Sequence, residues 1–534
     1  MRRLDAASRA AVSQVIAAHK AQLAAIPGFI SAEAGFAVVD GAILREPAIL
    51  VFVRQKKPLD SLLAEARAPR QLGPYRVSVL QAGPERQLEA NTAAFGEMAS
   101  RLAESSDDLT YEKIAGNPID VTYQVKQPFL CHVGPDAGWP TLKPFLEAAE
   151  QTLSVAMYDL NADYIAKSFI DLVRANDLKV VLTWDDGMTA PETAIRKQLK
   201  QALGVRLDGW LVRCGAARRF ASAYHEKVAV RDSEAFWLSS GNWSLRSQPN
   251  IDPIAKPSEA KGMYSKGNRE WHVIVEDASL AKLFERYIRY DRDGSEAEQQ
   301  GGDPGAALDV EDQPRLPDVF VPLEDLLAGA ELAGPPEPVA PQSLPSTPRE
   351  VTVRPLLTPD NYLERIVELL ESATRSIYLQ FAYINWSDAA KDKRFRSLLT
   401  RLGELSYKPG LDMRIILGDS DAADKIRKLA EAGFNDQVFR VQGSIHNKGI
   451  IVDGAAVLVS SANWSGDGVL RNRDAGLIIY DPEVAGYYQS VFLDDWDNRA
   501  RIRLDNGPRA ILAEEGEPAP PGMVRMSWRE FYGS

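Results

Sequence analysis

Two of the chain's five histidines carry the same neighbours at the same distances. His225 is followed by Lys227, Asp232, Ser240 and Asn242, and His446 by Lys448, Asp453, Ser461 and Asn463. The flanking residues agree as well, AFWLSSGNWS in one copy and AVLVSSANWS in the other. With Lys, Asp and Asn each at most about one residue in ten, coincidence at all three offsets is on the order of 10⁻³ per histidine and ~10⁻⁶ for two.

A duplicated His–Lys–Asn set suits phosphoryl chemistry. Histidine and lysine two apart on a strand point to one face, and an asparagine in the turn after the next strand can aim its amide at the same place. Two ammonium groups and two amides around one point match the charge on a phosphorus centre's equatorial oxygens. One imidazole then attacks in line to give a phosphohistidine while the other protonates the departing oxygen. Asp232 and Asp453 fall an odd number of residues after the lysine, at the strand end, and read as turn or packing acids. A working histidine also wants a carboxylate on its second nitrogen. GNREWHVIV and RNRDAGLII supply Glu270 and Asp474 at equivalent places, each expected to serve the histidine of its own half. HExxH and paired-Asp spacings are missing, so the reading needs neither metal nor other cofactor.

The elements that must hold these groups also repeat. Leu153–Leu160 and Ser376–Ile384 read as buried strands, each followed by a polar helix and a second strand, Lys179–Trp184 or Met413–Asp419. Such a repeat predicts two similar α/β lobes, 121–292 and 351–505, packed face to face around a shared site. Between them 293–350 is rich in Pro, Gly and acidic residues and reads as a linker with one short helix near Leu323–Leu327. Residues 1–120 read as a small α/β domain with a hairpin turn at Asp40–Gly41 and no chemistry of their own, a candidate surface for a protein partner. The tail, 506–534, ends in Trp528, Phe531 and Tyr532, expected to dock on the body.

The segments HEKVAVRD–SSGNWS and HNKGIIVD–SSANWS resemble the two HKD signatures of the phospholipase D superfamily, the second half looking most similar to its nuclease-like members. The resemblance covers about residues 121–292 and 351–505. It implies two lobes of mixed or parallel sheets flanked by helices, related by a pseudo-twofold axis, with the active site between them. It also implies His225 as nucleophile and His446 as acid and base. The family's glycine before the motif serine is Ser239 and Ser460 here.

Phospholipases, phosphatidyltransferases and nucleases all belong to that superfamily, so the substrate must be read from the surroundings. Arg213, Arg218, Arg219, Arg471 and Arg473 lie near the motifs, with Lys391, Lys393, Arg394 and Arg396 in another group. Such local patches could track a polyanion despite a net charge of −12. Arg218 and Arg219, with Ser240 and Ser461, are the candidate substrate-binding residues. The insertion between Asn242 and Glu270 has the length of a lid or binding loop, and Trp243 and Trp464 could stack bases. No convincing amphipathic membrane-facing helix is evident. The first expectation is therefore a nuclease cleaving DNA or RNA. The alternatives are a phospholipase D or phosphatidyltransferase, and a phosphate-binding regulatory module without catalysis. Two distant cysteines, Cys131 and Cys214, argue against a disulfide framework and for a reducing, cytoplasmic setting. No segment reaches the ~18 apolar residues needed to span a bilayer.

Overall fold

The computed structural model describes the chain except for residues 1–2, 58, 64–65, 91–108, 188, 301–316, 324–336, 419–421, 502–509, 515 and 533–534. Near the start, β1 (Phe29–Val39) and β2 (Ala42–Val53) form an antiparallel hairpin that β3 (Gln71–Leu72) and β4 (Tyr75–Gln81) extend into a four-stranded sheet. The hairpin turns on Asp40 and Gly41, with φ of 48° and 74°, the left-handed pair that a tight two-residue turn requires. The helix Ala6–Ala18 is capped by the Asp5 side chain and buries Val12 against this sheet. The whole unit rests on the helix Ala422–Ala432, where Phe36 N donates to Glu431 Oε1 at 2.8 Å and Glu33 pairs with Arg427 at 2.7 Å.

The body is built from two eight-stranded sheets. The first half of the chain supplies β5 (Tyr123–Val125), β6 (Phe129–Gly134), β7 (Thr152–Met157), β8 (Lys179–Asp185), β9 (Leu207–Val212), β10 (Lys227–Arg231), β11 (Ala235–Ser239) and β12 (Glu270–Val275). Then come β13 (Val319–Pro322) and β14 (Gln342–Leu344). The second half supplies β15 (Val351–Leu357), β16 (Ser376–Phe381), β17 (Asp412–Gly418), β18 (Phe439–Gln442), β19 (Lys448–Val452), β20 (Ala456–Ser460) and β21 (Ala475–Tyr480). The sheet orders are β14-β6-β12-β11-β10-β7-β8-β9 and β5-β15-β21-β20-β19-β16-β17-β18, so each motif strand, β10 or β19, takes the fifth place.

Both sheets are mixed. Strands β7, β8 and β9, and likewise β16, β17 and β18, run parallel because helices such as Asp163–Ala175 and Lys393–Leu405 carry the crossovers. The motif strands join by short turns and are therefore antiparallel.

The outermost strands depart from the expected boundaries. β5 precedes the first half's sheet in sequence yet pairs with β15 of the second half, and β14, in the expected linker, pairs with β6 of the first. β5 of the first half thus covers the open edge of the second half's sheet and the linker strand β14 that of the first, edges whose backbone groups would otherwise lack partners. The linker also gives β13, sandwiched between β22 (Ile511–Leu512) and β23 (Met523–Met526) of the tail. It is therefore more than a spacer. The short helix expected near Leu323–Leu327 lies, beyond Leu323, outside the described residues. Trp528 and Tyr532 are buried with Leu88 and Val319.

The sheets meet through one continuous core, in which Val228, Phe236, Leu238 and Trp271 join Val457, Leu477 and Ile479. Gly449 is required there, because a Cβ at that position would lie 2.2 Å from the Trp271 ring. Among the described residues, no helix is long and apolar enough to cross a membrane.

Candidate active site

Lys227 and Lys448 open β10 and β19, and each motif histidine stands two residues earlier, just outside its strand. The backbone of the opposite half fixes it there. His225 N donates to Arg473 O at 2.6 Å, and Arg473 N to Ala223 O at 3.1 Å. In the mirrored place His446 N donates to Arg269 O at 3.2 Å, and Arg269 N to Ser444 O at 2.8 Å. Each histidine segment therefore runs beside the residue that precedes the other half's acid.

This stitching overturns the expected carboxylate assignment. His225 Nδ1 lies 2.7 Å from Asp474 Oδ1, and His446 Nδ1 lies 2.5 Å from Glu270 Oε1. Each acid serves the histidine of the other half, because its strand enters the site alongside that histidine. Donation of Nδ1–H to a carboxylate leaves Nε2 as the nitrogen that faces chemistry.

The motif serines do not point at a substrate, as expected from sequence, but hold the acids. Ser240 Oγ donates to Glu270 Oε2 at 2.6 Å, and Ser461 Oγ to Asp474 Oδ1 at 2.9 Å. The preceding serines, where a glycine was the family's habit, close the turns. Ser239 Oγ accepts from Gly241 N at 2.7 Å and Ser460 Oγ from Ala462 N at 3.0 Å. Gly241 also makes room, since a Cβ there would sit 2.9 Å from Glu270 Oε1.

The two lysines are fully buried within electrostatic reach of each other and of both acids. Burial pushes the Lys448 ammonium down to about 8, with Glu270 and Asp474 opposing the fall. Lys227 falls well below the ordinary lysine value, from burial first and from Lys448 second. Lys448 Nζ donates to His446 Nε2 at 3.0 Å and Lys227 Nζ to His225 O at 2.7 Å. Asn242 is buried with its Oδ1 accepting no hydrogen bond, and Asn463 occupies the equivalent buried position. The carboxylates differ. Glu270 lies at about 2, its burial outweighed by His446, Lys448 and Ser240, whereas burial raises Asp474 to about 7 against the pull of Lys227. Burial lowers His446 itself, with Glu270 opposing.

Asp232 and Asp453 face away from the dyads. Asp232 accepts from the backbone N–H groups of Glu150, Gln151 and Thr152, and Asp453 from those of Thr374, Arg375 and Ser376. Arg218 and Arg219 are corrected. Arg219 is buried against Asp291 at 2.8 Å and Arg218 lies 3.6 Å from Glu298, so their charges answer acids on one helix rather than a substrate. Arg471 likewise pairs with Asp392 and Asp467. Trp243 and Trp464 are completely buried, leaving no face for a base.

From sequence Arg473 counts only among the basic residues near the motifs, and Arg269 has no assigned role. Both are buried clasps. Arg473 reaches Asp291 of the first half at 2.7 Å and Asp360 of the second at 2.8 Å; Arg269 reaches Asp136 of the first half at 2.5 Å and Asp495 of the second at 2.9 Å. The matched RE and RD pairs were the available signal. Tyr158, whose ring meets His225 edge-on at 4.6 Å, had none. Among the described residues, Asp185, Asp186 and Cys214 bring metal-ligating atoms together. That cluster instead serves the fold: Asp185 accepts from Tyr224 N, and Arg213 lies 3.6 Å from Asp186.

Residues 366–496 match the family described as cardiolipin synthase, PLD-like domain. A phospholipase D of Rickettsia typhi (strain Wilmington) is 31% identical over 160 residues, 29% of this chain and 72% of the relative. A phospholipase D of Rickettsia conorii (strain Malish 7) is 34% identical over 137 residues, 25% of this chain. The chain spans 62% of the length of that second relative. The phosphatidylserine synthase structure from Haemophilus influenzae Rd KW20 aligns over 74% of this chain and 93% of that one, with 15% identity and a TM-score of 0.43. With its paired histidine motifs and the likeness to the Rickettsia typhi protein, the chain belongs to the phospholipase D superfamily.

Proposed function

We propose that the chain is a phosphodiesterase acting on phospholipids through a covalent phosphohistidine, with its own lysines supplying the positive charge. The observation that carries this reading is the pair of crossed dyads, His225–Asp474 and His446–Glu270, with Lys227 and Lys448 buried between them. His225 is the nucleophile. Its Nε2 lone pair forms a bond to phosphorus while the bond from phosphorus to the leaving oxygen breaks. His446, carried as the imidazolium by ionised Glu270, gives its Nε2 proton to that oxygen. Neutral His446 then takes a proton from water, the water oxygen attacks phosphorus, and the P–N bond to His225 breaks. The firmly ionised Glu270 beside the His446 ring supports this division of labour.

The phospholipid class rests on the named activity of the Rickettsia relatives and on the loss of the features that favoured nucleic acid. Arg219, Arg471 and Arg473 are committed to internal acids, and the motif tryptophans are core residues. The unit of β1 to β4 then acts as a brace on the helix Ala422–Ala432 rather than in the chemistry.

The test uses bis(p-nitrophenyl) phosphate in EDTA. Turnover in the wild type and its loss in both H225A and H446A support the two-histidine mechanism; activity retained by either variant, or abolished by chelator, overturns it. In parallel, phosphatidylcholine and phosphatidylglycerol vesicles, plasmid and RNA are offered in EDTA. Release of the head group supports the phospholipid reading. Nicking without head-group release replaces it with the nuclease, and no turnover of any substrate leaves only a binding module.

A further inference from the structure

A cavity of about 700 Å³ lies on the seam between the halves, and none of the motif histidines, lysines or asparagines lines it. One wall is the helix Pro257–Tyr264, from the insertion between Asn242 and Glu270; the other includes Arg269 and Ser444. Its size suits a small organic ligand.

The lining chemistry is unusual for a chain of net charge −12. Lys261, Arg499 and Arg501 contribute to it, and no Asp or Glu is among the described residues that do. Prolines such as Pro257, with Ala260 and the Tyr264 ring, make the remaining surface largely apolar. Gln442 is only 7% exposed, and its Oε1 accepts no hydrogen bond. The cavity therefore asks for an anion and an apolar body in one molecule.

We propose that this cavity binds a single-chain acidic glycerophospholipid, with its phosphate toward Lys261 and Arg501 and its acyl chain along the prolines. The occupant would rest against the backbone bridge of the second dyad. Arg269 N donates to Ser444 O at 2.8 Å, and His446 N to Arg269 O at 3.2 Å. From the helix side, Tyr264 OH donates to Asp136 Oδ1 at 2.8 Å, and Asp136 Oδ2 pairs with Arg269 at 2.5 Å. Binding and bridge order are thereby coupled. The inference does not depend on the phosphodiesterase reading.

The experiment is calorimetric titration of the full chain with palmitoyl lysophosphatidate below its critical micelle concentration, repeated with palmitoyl lysophosphatidylcholine. One-to-one saturable binding of the anion, at least about tenfold tighter than the zwitterion, is expected. K261E and R501E should each weaken it by a similar factor, while K266E, an exposed charge reversal outside the cavity, and H446A should not. Hydrogen exchange should show new protection at residues 442–446 and 268–270. Absence of saturable binding, equal affinity for the zwitterion, undiminished binding in both K261E and R501E, or loss in H446A overturns the proposal. Binding that persists in H446A while all diester turnover fails would sink the catalytic reading and leave this one standing.

Discussion

Asp474 Oδ1 lies 2.7 Å from the Nδ1 of His225, a residue 249 positions earlier in the chain. Glu270 and His446 repeat the relationship in the opposite direction. Neither half owns a complete histidine–carboxylate dyad. The five histidines make this directly readable by NMR titration. E270Q is expected to shift the His446 ring signals and its titration while leaving His225 in place, and D474N to do the reverse. A response confined to the histidine of the mutated half would contradict the crossed pairing.

The two acids occupy equivalent places but act on stability with opposite sign. Glu270 has its folded value depressed, to about 2. Its contribution is therefore present above the unfolded value of ~4.5 and lost as pH falls through about 2. Asp474 has its folded value raised, to about 7. Keeping it neutral favours the fold below ~3.9, and that advantage is lost as pH rises through about 7. D474N should therefore gain stability relative to wild type between pH 5 and 8, by ~2–3 kcal/mol from the linkage relation. E270Q should lose stability at pH 7. Urea unfolding of both variants at the two pH values checks this; parallel behaviour of the pair would refute it.

Lys448 must be protonated to meet a phosphate oxygen, and burial sets its value at about 8. The rate constant kcat/KM should fall as pH rises through about 8, well before an exposed lysine would titrate. K448R, whose guanidinium stays charged, should show a lower kcat but an alkaline limb moved upward. An alkaline limb unchanged in K448R would assign it to another group.

How much of this was legible depends on what the sequence repeats. His225, His446, Lys227, Lys448, Asn242, Asn463, Glu270 and Asp474 could be gathered because each copy prints them at the same offsets; the structure joins the histidines, lysines and acids in one buried network and buries both asparagines. Which acid meets which histidine could not be read. Nearness in sequence favoured Glu270 for His225, whereas the choice is made by the backbone bridges of Arg473 to Ala223 and Arg269 to Ser444. Arg219 misled because a charge does not announce its partner, here Asp291 on a helix 72 residues later. The placements of β5 and β14 were hidden for the same reason: three-residue strands carry little pattern, and the open edge that each covers lies far from it in sequence.

Asp232 and Asp453 sit at positive φ, 54° and 55°, where the turn after each motif strand reverses. Each gathers three backbone N–H groups of the segment entering the adjacent antiparallel strand, β7 or β16. Replacing either by alanine strands those donors and keeps a side chain where the backbone is left-handed, a loss of ~1–3 kcal/mol. D232A and D453A should therefore lower the unfolding midpoint while kcat at a permissive temperature stays within about twofold, the range expected when no transition-state contact is removed. A loss of several hundredfold in a folded D232A protein would give the acid a chemical role.

Arg473 offers the sharpest test of how the halves are held in register. Its guanidinium sits between Asp291 and Asp360, both buried, while its carbonyl receives His225 N and its neighbour is Asp474. R473M leaves the buried Asp360 without its arginine and Asp291 with Arg219 alone, a cost of ~3–5 kcal/mol for breaking a buried pair from one side. R473K restores the charge without the forked geometry and should recover only part of it. Because the clasp touches the His225 dyad rather than the substrate, the folded fraction of R473K should show reduced kcat with KM little changed. Equal kcat for R473K and wild type would confine the arginine to stability, and an R473M protein within about 1 kcal/mol of wild type, the range of exposed pairs, would show that the clasp does not hold the halves at all.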